Sequence, residues 1–394
     1  MRKVDVTERR ARLGLRHRLA NPASDPVEAT RSMVGLHSSD PVTVFLSARA
    51  RVPGFAVADM ERALYTDRSL IRFFGMRRTL WVIERQLVPE VHHSSTRVIA
   101  ERERRRTAKL LEDGGVTEDG AAWLAEALPE TLSQIEAHGE ILTRDLTKLL
   151  PRLDGDIIFR NRAGRVMGKS GLASRAVLQL AMESKVIRTR PAGTWVSGQY
   201  RWAETRAWLG APIPELTPGQ AAAGLLRRWL YAFGPATETD IRWWTGWNMS
   251  QVRSALTDIG VVDVQLDGGS GYLNPDDIEP VGAEGLWVAL LPSLDPTVMG
   301  WKERDWYLGR HGEVLFDRNG NAGPTVWVDG RVVGGWAQRS DGTIAYELFE
   351  EVDAGASELI AAEATRLQDW MGDVRVPPRF RSPHYAELAS RVGS

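Results

Sequence analysis

Gly35-Leu36-His37-Ser38-Ser39-Asp40-Pro41 sets polar residues in the middle of an apolar, amphipathic stretch near the N-terminus. Val27, Thr30 and Val34 before it, and Val44, Phe45 and Ala48 after it, recur at three-to-four spacing. That spacing predicts one helix over 27–51 with Pro41 as a kink. Polar side chains on what should be a core face mark a site. Residues two apart lie about 200° around an ideal helix. His37 and Ser39 therefore share a cleft only if the kink or a local break distorts it.

Outward from this segment an order of elements recurs three times: a long helix, a turn, a short helix, a longer helix, then two short strands. This is the winged-helix order. The first copy has helices near 7–20, 27–51 and 57–65 and strands at 71–74 and 79–83, with Gly75-Met76-Arg77-Arg78 at the tip. The second has helices near 119–137, 143–150 and 171–184, then strands at 186–188 and 194–196 across Pro191-Ala192-Gly193. The third has helices near 218–232, 237–245 and 249–259, then strands at 261–264 and 271–273. From about 285 the pattern turns β-rich, at 286–292, 314–316 and 324–336. There Asp329-Gly330 signals a type I′ hairpin. A closing helix over 355–371 precedes a Pro-rich tail. The expected fold class is α+β, mainly α: tandem winged-helix domains at 1–115, 116–205 and 206–280, with a β-rich subdomain at 281–394.

With Pro53-Gly54-Phe55 and Arg77-Arg78-Thr79-Leu80-Trp81-Val82 downstream, the chain resembles the AlkZ/YcaQ family of winged-helix alkylpurine DNA glycosylases over nearly its whole length. In that family the segment reads Gly-Leu-Gln-x-Gln-Asp-Pro, or carries Asp at the second polar position, and the two polar side chains position the hydrolytic water. The resemblance passes that role to His37 and Ser39. It implies a monofunctional glycosylase that releases alkylated or bulky-adducted purines (N7 or N3) from double-stranded DNA, with no cofactor. A cationic alkylpurine is already a good leaving group, so the protein's task is to orient water at C1′. Neutral His37 accepts through one ring nitrogen, donates through the other, and serves as a weak base near pH 7. The resemblance also brings Arg77 and Arg78 near the cleft, where they meet phosphates, and sends the 325–336 hairpin with Arg331 toward the minor groove. From the residues alone, a solvated turn and an ordinary sheet hairpin remain open. Leu291-Pro292-Ser293-Leu294-Asp295-Pro296 with Gly300 and Arg304 is similar to the family's C-terminal signature. Two other functions fit the same scaffold: a damage-binding protein without turnover, and a transcription regulator reading bases through 249–259.

Composition bounds these readings. At 394 residues the chain holds two to four domains. It has no cysteine, which excludes disulfides, thiolate metal sites, iron–sulfur clusters and cysteine nucleophiles. No run approaches the roughly 18 apolar residues that span a bilayer, and no signal peptide is expected, so a cytoplasmic protein without membrane contact is predicted. Tandem copies remove the need for a dimer, and a monomer is expected. Net charge is −1, but it is segregated: residues 1–110 carry 22 Lys and Arg against 12 Asp and Glu, 111–150 carry 2 against 9, and 151–201 carry 10 against 3. Two basic blocks suit a DNA-facing surface. Several features read as structural. His92-His93 lacks a third ligand, so no metal is predicted. Gly168-Lys169-Ser170 lacks the first glycine of a phosphate loop, having Ala163 there. Trp243-Trp244-Thr245-Gly246-Trp247 reads as core, Glu101–Arg106 as a solvated face, and Asp40 as a cap.

Overall fold

The computed structural model describes residues 1–161 and 163–391. Helix ends fall where local chemistry puts them. Asp25 accepts from the N–H groups of Val27 and Glu28, with Pro26 at the first helical position. Thr217 and Gln220 cap each other before the helix Pro218–Phe233, as Thr237 and Asp240 do before Glu238–Thr245. Asn248 caps Met249–Ile259. The last two helices stop at Gly246 (φ 76°) and Gly260 (φ 64°), left-handed positions that suit glycine.

The third copy is the most regular. Its three helices lead into β10 (Val262–Leu266) and β11 (Gly269–Leu273), joined by a tight turn. In the second copy the helices Gly120–His138, Thr143–Leu149 and Leu172–Met182 lead to β8 (Val186–Pro191) and β9 (Tyr200–Glu204). The strand expected at 194–196 is loop. Trp195 there packs on Phe45 and Trp370, at 5.1 and 5.7 Å between ring centroids, so its apolar signal comes from tertiary packing. An extra hairpin, β6 (Asp156–Arg160) with β7 (Val166–Gly171), precedes the third helix.

In the first copy α1 (Val6–Arg16) and α2 (Pro26–Ser32) are followed not by a through-running helix but by β2 (Leu36–His37) and then α3 (Pro41–Arg49). Pro41 therefore begins a helix instead of kinking one. At the first position it has no N–H to lose, and Asp40 caps the turn by accepting from Val42 N at 3.3 Å. The hairpin β3 (Leu70–Gly75) and β4 (Thr79–Glu84) follows as expected.

The wings of the first two copies merge. With β5 (Ile141–Leu142) they form one six-stranded sheet, in the order β2-β4-β3-β8-β9-β5, joined through the single register pair Arg72 and Arg188. The N-terminal β1 (Arg2–Lys3) adds in parallel to β10, tying the first residues to the third wing. The C-terminal part is an antiparallel sheet of β12 (Val288–Leu291), β13 (Thr325–Val328), β14 (Arg331–Gln338) and β15 (Ile344–Leu348). Helices Ala354–Met371 and Pro383–Ser390 pack against it. Asp329 and Gly330 take φ of 46° and 78°, the two positive values of the expected turn. Residues 314–316 are not a strand. A short helix Gly312–Leu315 buries Leu315 and leaves Val314 exposed, an outcome a three-residue apolar run cannot signal. Among the described residues no helix is long and apolar enough to cross a membrane.

Candidate active site

The polar segment is an excursion out of helix, built residue by residue. After Ser32 the chain turns through Val34 at φ 61°, a strained value for a β-branched residue. Gly35 then lies flat on β4. A Cβ there would stand 2.8 Å from Ile83 Cγ2 and 3.0 Å from the Val82 carbonyl oxygen, so only glycine fits. Leu36 and His37 pair with Val82 and Trp81, and Ser38 N–H donates to the Leu80 carbonyl at 2.8 Å. The strand covers only Leu36 and His37, and Ser39 lies in the bend after it. This break in the helix brings the Ser39 N–H to the His37 ring.

His37 is 7% exposed and tilts against Trp81 at 5.0 Å. Burial, reinforced by the Arg77 charge, pushes its pKa down to about 4. The imidazole is therefore neutral at physiological pH, and a weaker base than an ordinary ring titrating near 6.5, the basis of its expected role near pH 7. Ser39 N–H donates to Nδ1 at 3.5 Å, the outer limit of a hydrogen bond. Ser39 is partly exposed. Arg379, from the Pro-rich tail, closes over this turn: its N–H donates to Asp40 Oδ2 at 2.8 Å and its guanidinium to the Ser39 carbonyl at 3.3 Å. Asp40 is thus a cap whose two oxygens are both engaged.

A family model described as DNA glycosylase AlkZ-like matches residues 30–370. The chain belongs to the AlkZ-like DNA glycosylase family. The interstrand DNA cross-link repair glycosylase of Streptomyces sahachiroi is 26% identical to this AlkZ-like chain over 258 residues, which make up 61% of the chain and 65% of that relative. The solved structure of Streptomyces sahachiroi DNA glycosylase AlkZ shares the fold, with a TM-score of 0.73 at 20% identity over 93% of this chain and 97% of that one.

The other residues singled out in the AlkZ-like sequence fall in different places. Arg77, at φ 55° on the β3–β4 tip, is exposed and stacks on Trp243 at 4.2 Å. Arg304 approaches the same ring at 5.0 Å. Trp244 and Trp247 are core as expected, whereas Trp243 stays partly open between two cations. Arg78 donates to Glu103 at 2.6 Å. Glu103 is 4% exposed and draws Arg102 and Arg106 as well, so the run 101–106 is not wholly a solvated face. Arg331 pairs with Glu350 at 2.6 Å, and its hairpin tip rests on α1, where a Cβ at Gly330 would stand 2.7 Å from Arg10 Cβ. It lies about 16 Å along β14 from Trp336, which borders Asp40 in a small cavity. The structure thus gathers His37, Ser39 and Arg77 around the start of β4, while Arg331 is paired with Glu350 on a hairpin whose tip rests on α1.

Sequence reasoning missed the supports. Arg51 and Asp295, both fully buried, form a two-pronged ion pair at 2.8 and 2.9 Å that fastens the end of α3 to the 291–296 run. Thr43 and Ser47 add bonds to the Ser293 carbonyl and Asp295 at 2.8 and 2.7 Å. The Asp295-Pro296 dipeptide was the visible signal; its arginine partner, 244 residues away, was not.

Proposed function

We propose that this AlkZ-like protein is a monofunctional DNA glycosylase acting on N7- or N3-alkylated or bulky-adducted purines in duplex DNA. Its reaction breaks the C1′–N9 bond and forms a C1′–O bond from water. The bond electrons neutralise the cationic purine, and the water proton leaves to solvent. The observation supporting this reading is the break in the helix at 36–40, which brings the Ser39 backbone to a neutral His37 imidazole packed on Trp81. A neutral ring nitrogen accepts one water hydrogen while the Ser39 hydroxyl holds the water from its other side, so the pair orients the nucleophile without needing a strong base. Exposed Arg77, stacked on Trp243, suits a backbone phosphate; Arg78 is largely engaged by Glu103.

The test is base release from a duplex carrying N7-methylguanine, with an interstrand cross-linked duplex as second substrate because the Streptomyces relative is named for that lesion. His37→Ala should lose about a hundredfold in single-turnover rate while binding duplex as wild type does. Equal rates would remove His37 from the mechanism. The burial of His37 favours one second reading, a damage-binding protein without turnover, which tight binding with no release from either protein or substrate would establish.

A further inference from the structure

Two arginines meet across the seam of the six-stranded sheet with no carboxylate between them. Arg72 of β3 and Arg188 of β8 are register partners, and both guanidiniums stack on Tyr200, at 4.9 and 5.4 Å from its centroid. Arg72, 2% exposed, donates to the Tyr65 hydroxyl and, at 3.3 Å, to Ser38 Oγ, the residue between His37 and Ser39. Arg188 Nε is buried without a partner among the described residues, and so is the Tyr200 hydroxyl. The charged side chains that bear most on Arg188 are Arg72 and Arg379, both positive. Burial pushes Arg188 down to about 10, still charged at neutral pH.

Like charges directly opposite one another in a sheet are destabilising, and a buried guanidinium without a counter-ion more so. At Arg72 burial is more than offset by Tyr200, Tyr65 and Glu61, so the cost falls on Arg188. Stacking on Tyr200 and Trp202 offsets part of this but gives the N–H groups no acceptor. Arg188, though not Arg72 behind it, lines a cleft of about 630 Å³ together with Gly198, Gln199 and Tyr200, with Arg144 and the carboxylates of Asp154 and Asp156 elsewhere on its wall. A Cβ on Gly198, at the cleft wall, would stand 4.0 Å from Pro41 Cγ, and Arg72 bonds Ser38, so both sides of the seam neighbour the 35–41 segment. An arrangement that leaves the Arg188 Nε and the Tyr200 hydroxyl unpartnered on two residues lining one cleft suits an anion.

We propose that Arg188 and Tyr200, with the Arg72 charge behind them, form a preformed seat for one phosphodiester of the bound strand. The inference rests on the DNA-acting reading above and adds a contact that the 35–41 segment does not include. The phosphate oxygens take the free guanidinium N–H groups and the Tyr200 hydroxyl, and the like-charge repulsion disappears only in the complex.

Duplex binding across a salt series, together with melting temperature, is compared for wild type, Arg188→Met and Tyr200→Phe. Arg188→Met should melt at or above wild type, bind duplex about five- to tenfold more weakly, and show a salt slope smaller by about 1. Tyr200→Phe should weaken binding without changing the slope. Inorganic phosphate should raise the wild-type melting temperature more than that of Arg188→Met. A lower melting temperature in Arg188→Met with unchanged affinity and slope would make the pair structural and overturn the proposal. Wild type that binds no duplex yet is stabilised by phosphate through Arg188 would sustain the seat and overturn the DNA reading instead.

Discussion

His17 and His37 are, with His92, the imidazoles that folding pushes furthest below their ordinary range. Burial lowers His17 to about 3, where it bridges Thr297 and the Ala232 carbonyl, and lowers His37 to about 4. In the unfolded chain both titrate near 6.5. Between about 6.5 and the folded values the unfolded chain binds protons that the folded chain refuses, so their contribution to stability is complete above pH 6.5 and lost as pH falls toward 4 and 3. Melting temperature should therefore be flat from pH 8 to 7 and fall steadily from 6.5 to 4.5. His37→Gln should flatten part of that fall, and an unchanged slope would show that the ring is not the group responsible. Base release should stay level between pH 6 and 8, because His37 is neutral throughout; a step centred near 6.5 would mean a solvated ring. The candidacy of His37 is legible in the sequence, because a polar residue on a core face is conspicuous there. Its basicity is not, because that is set by Trp81, Arg77 and the depth of burial.

The join between α3 and the 291–296 run depends on Arg51, every N–H of which is used: by the His17 and Ser47 carbonyls, Thr297 Oγ1 and both Asp295 oxygens. Burial alone would raise Asp295, yet Arg51, Ser47 and the Thr297 N–H hold it below the ordinary carboxylate range. Breaking such a pair leaves a buried charge. Arg51→Ala or Asp295→Ala should each cost about 3–5 kcal/mol in urea unfolding, and Arg51→Met with Asp295→Leu should recover part of that. A loss under 1 kcal/mol from either single variant would show the pair to be solvated. Elements whose ends are marked by their own residues were readable: the third copy, from Thr217 through Gly260, and the Asp329-Gly330 hairpin. The stretch 27–51 misled because its apolar spacing survives a strand inserted in the middle, and Asp40-Pro41, which opens a helix, also reads as a kink.

The buried apolar side chains form two main bodies. One joins most of the first and third copies to the C-terminal sheet, and the other lies within the second copy, receiving Phe74 and Leu80 from the β3–β4 hairpin. Between β3 and β8 the backbone seam is a single register pair, occupied by two like charges. Native-state hydrogen exchange should therefore show Gly120–His138 and Leu172–Met182 opening as one block at lower free energy than β12–β14; a single common opening energy would mean that the seam is stronger than its contacts. The sequence alone determined the helix caps, the hairpin turns, the repeated order of elements and the conspicuous 35–41 segment, because each depends on residues within a few positions of one another. The tertiary structure decided that Leu36 and His37 form a strand, that Arg331 pairs with Glu350, and that Arg72 and Arg188 stand opposed. Those outcomes depend on partners tens to hundreds of residues away, whose contact only the packed sheet and core create.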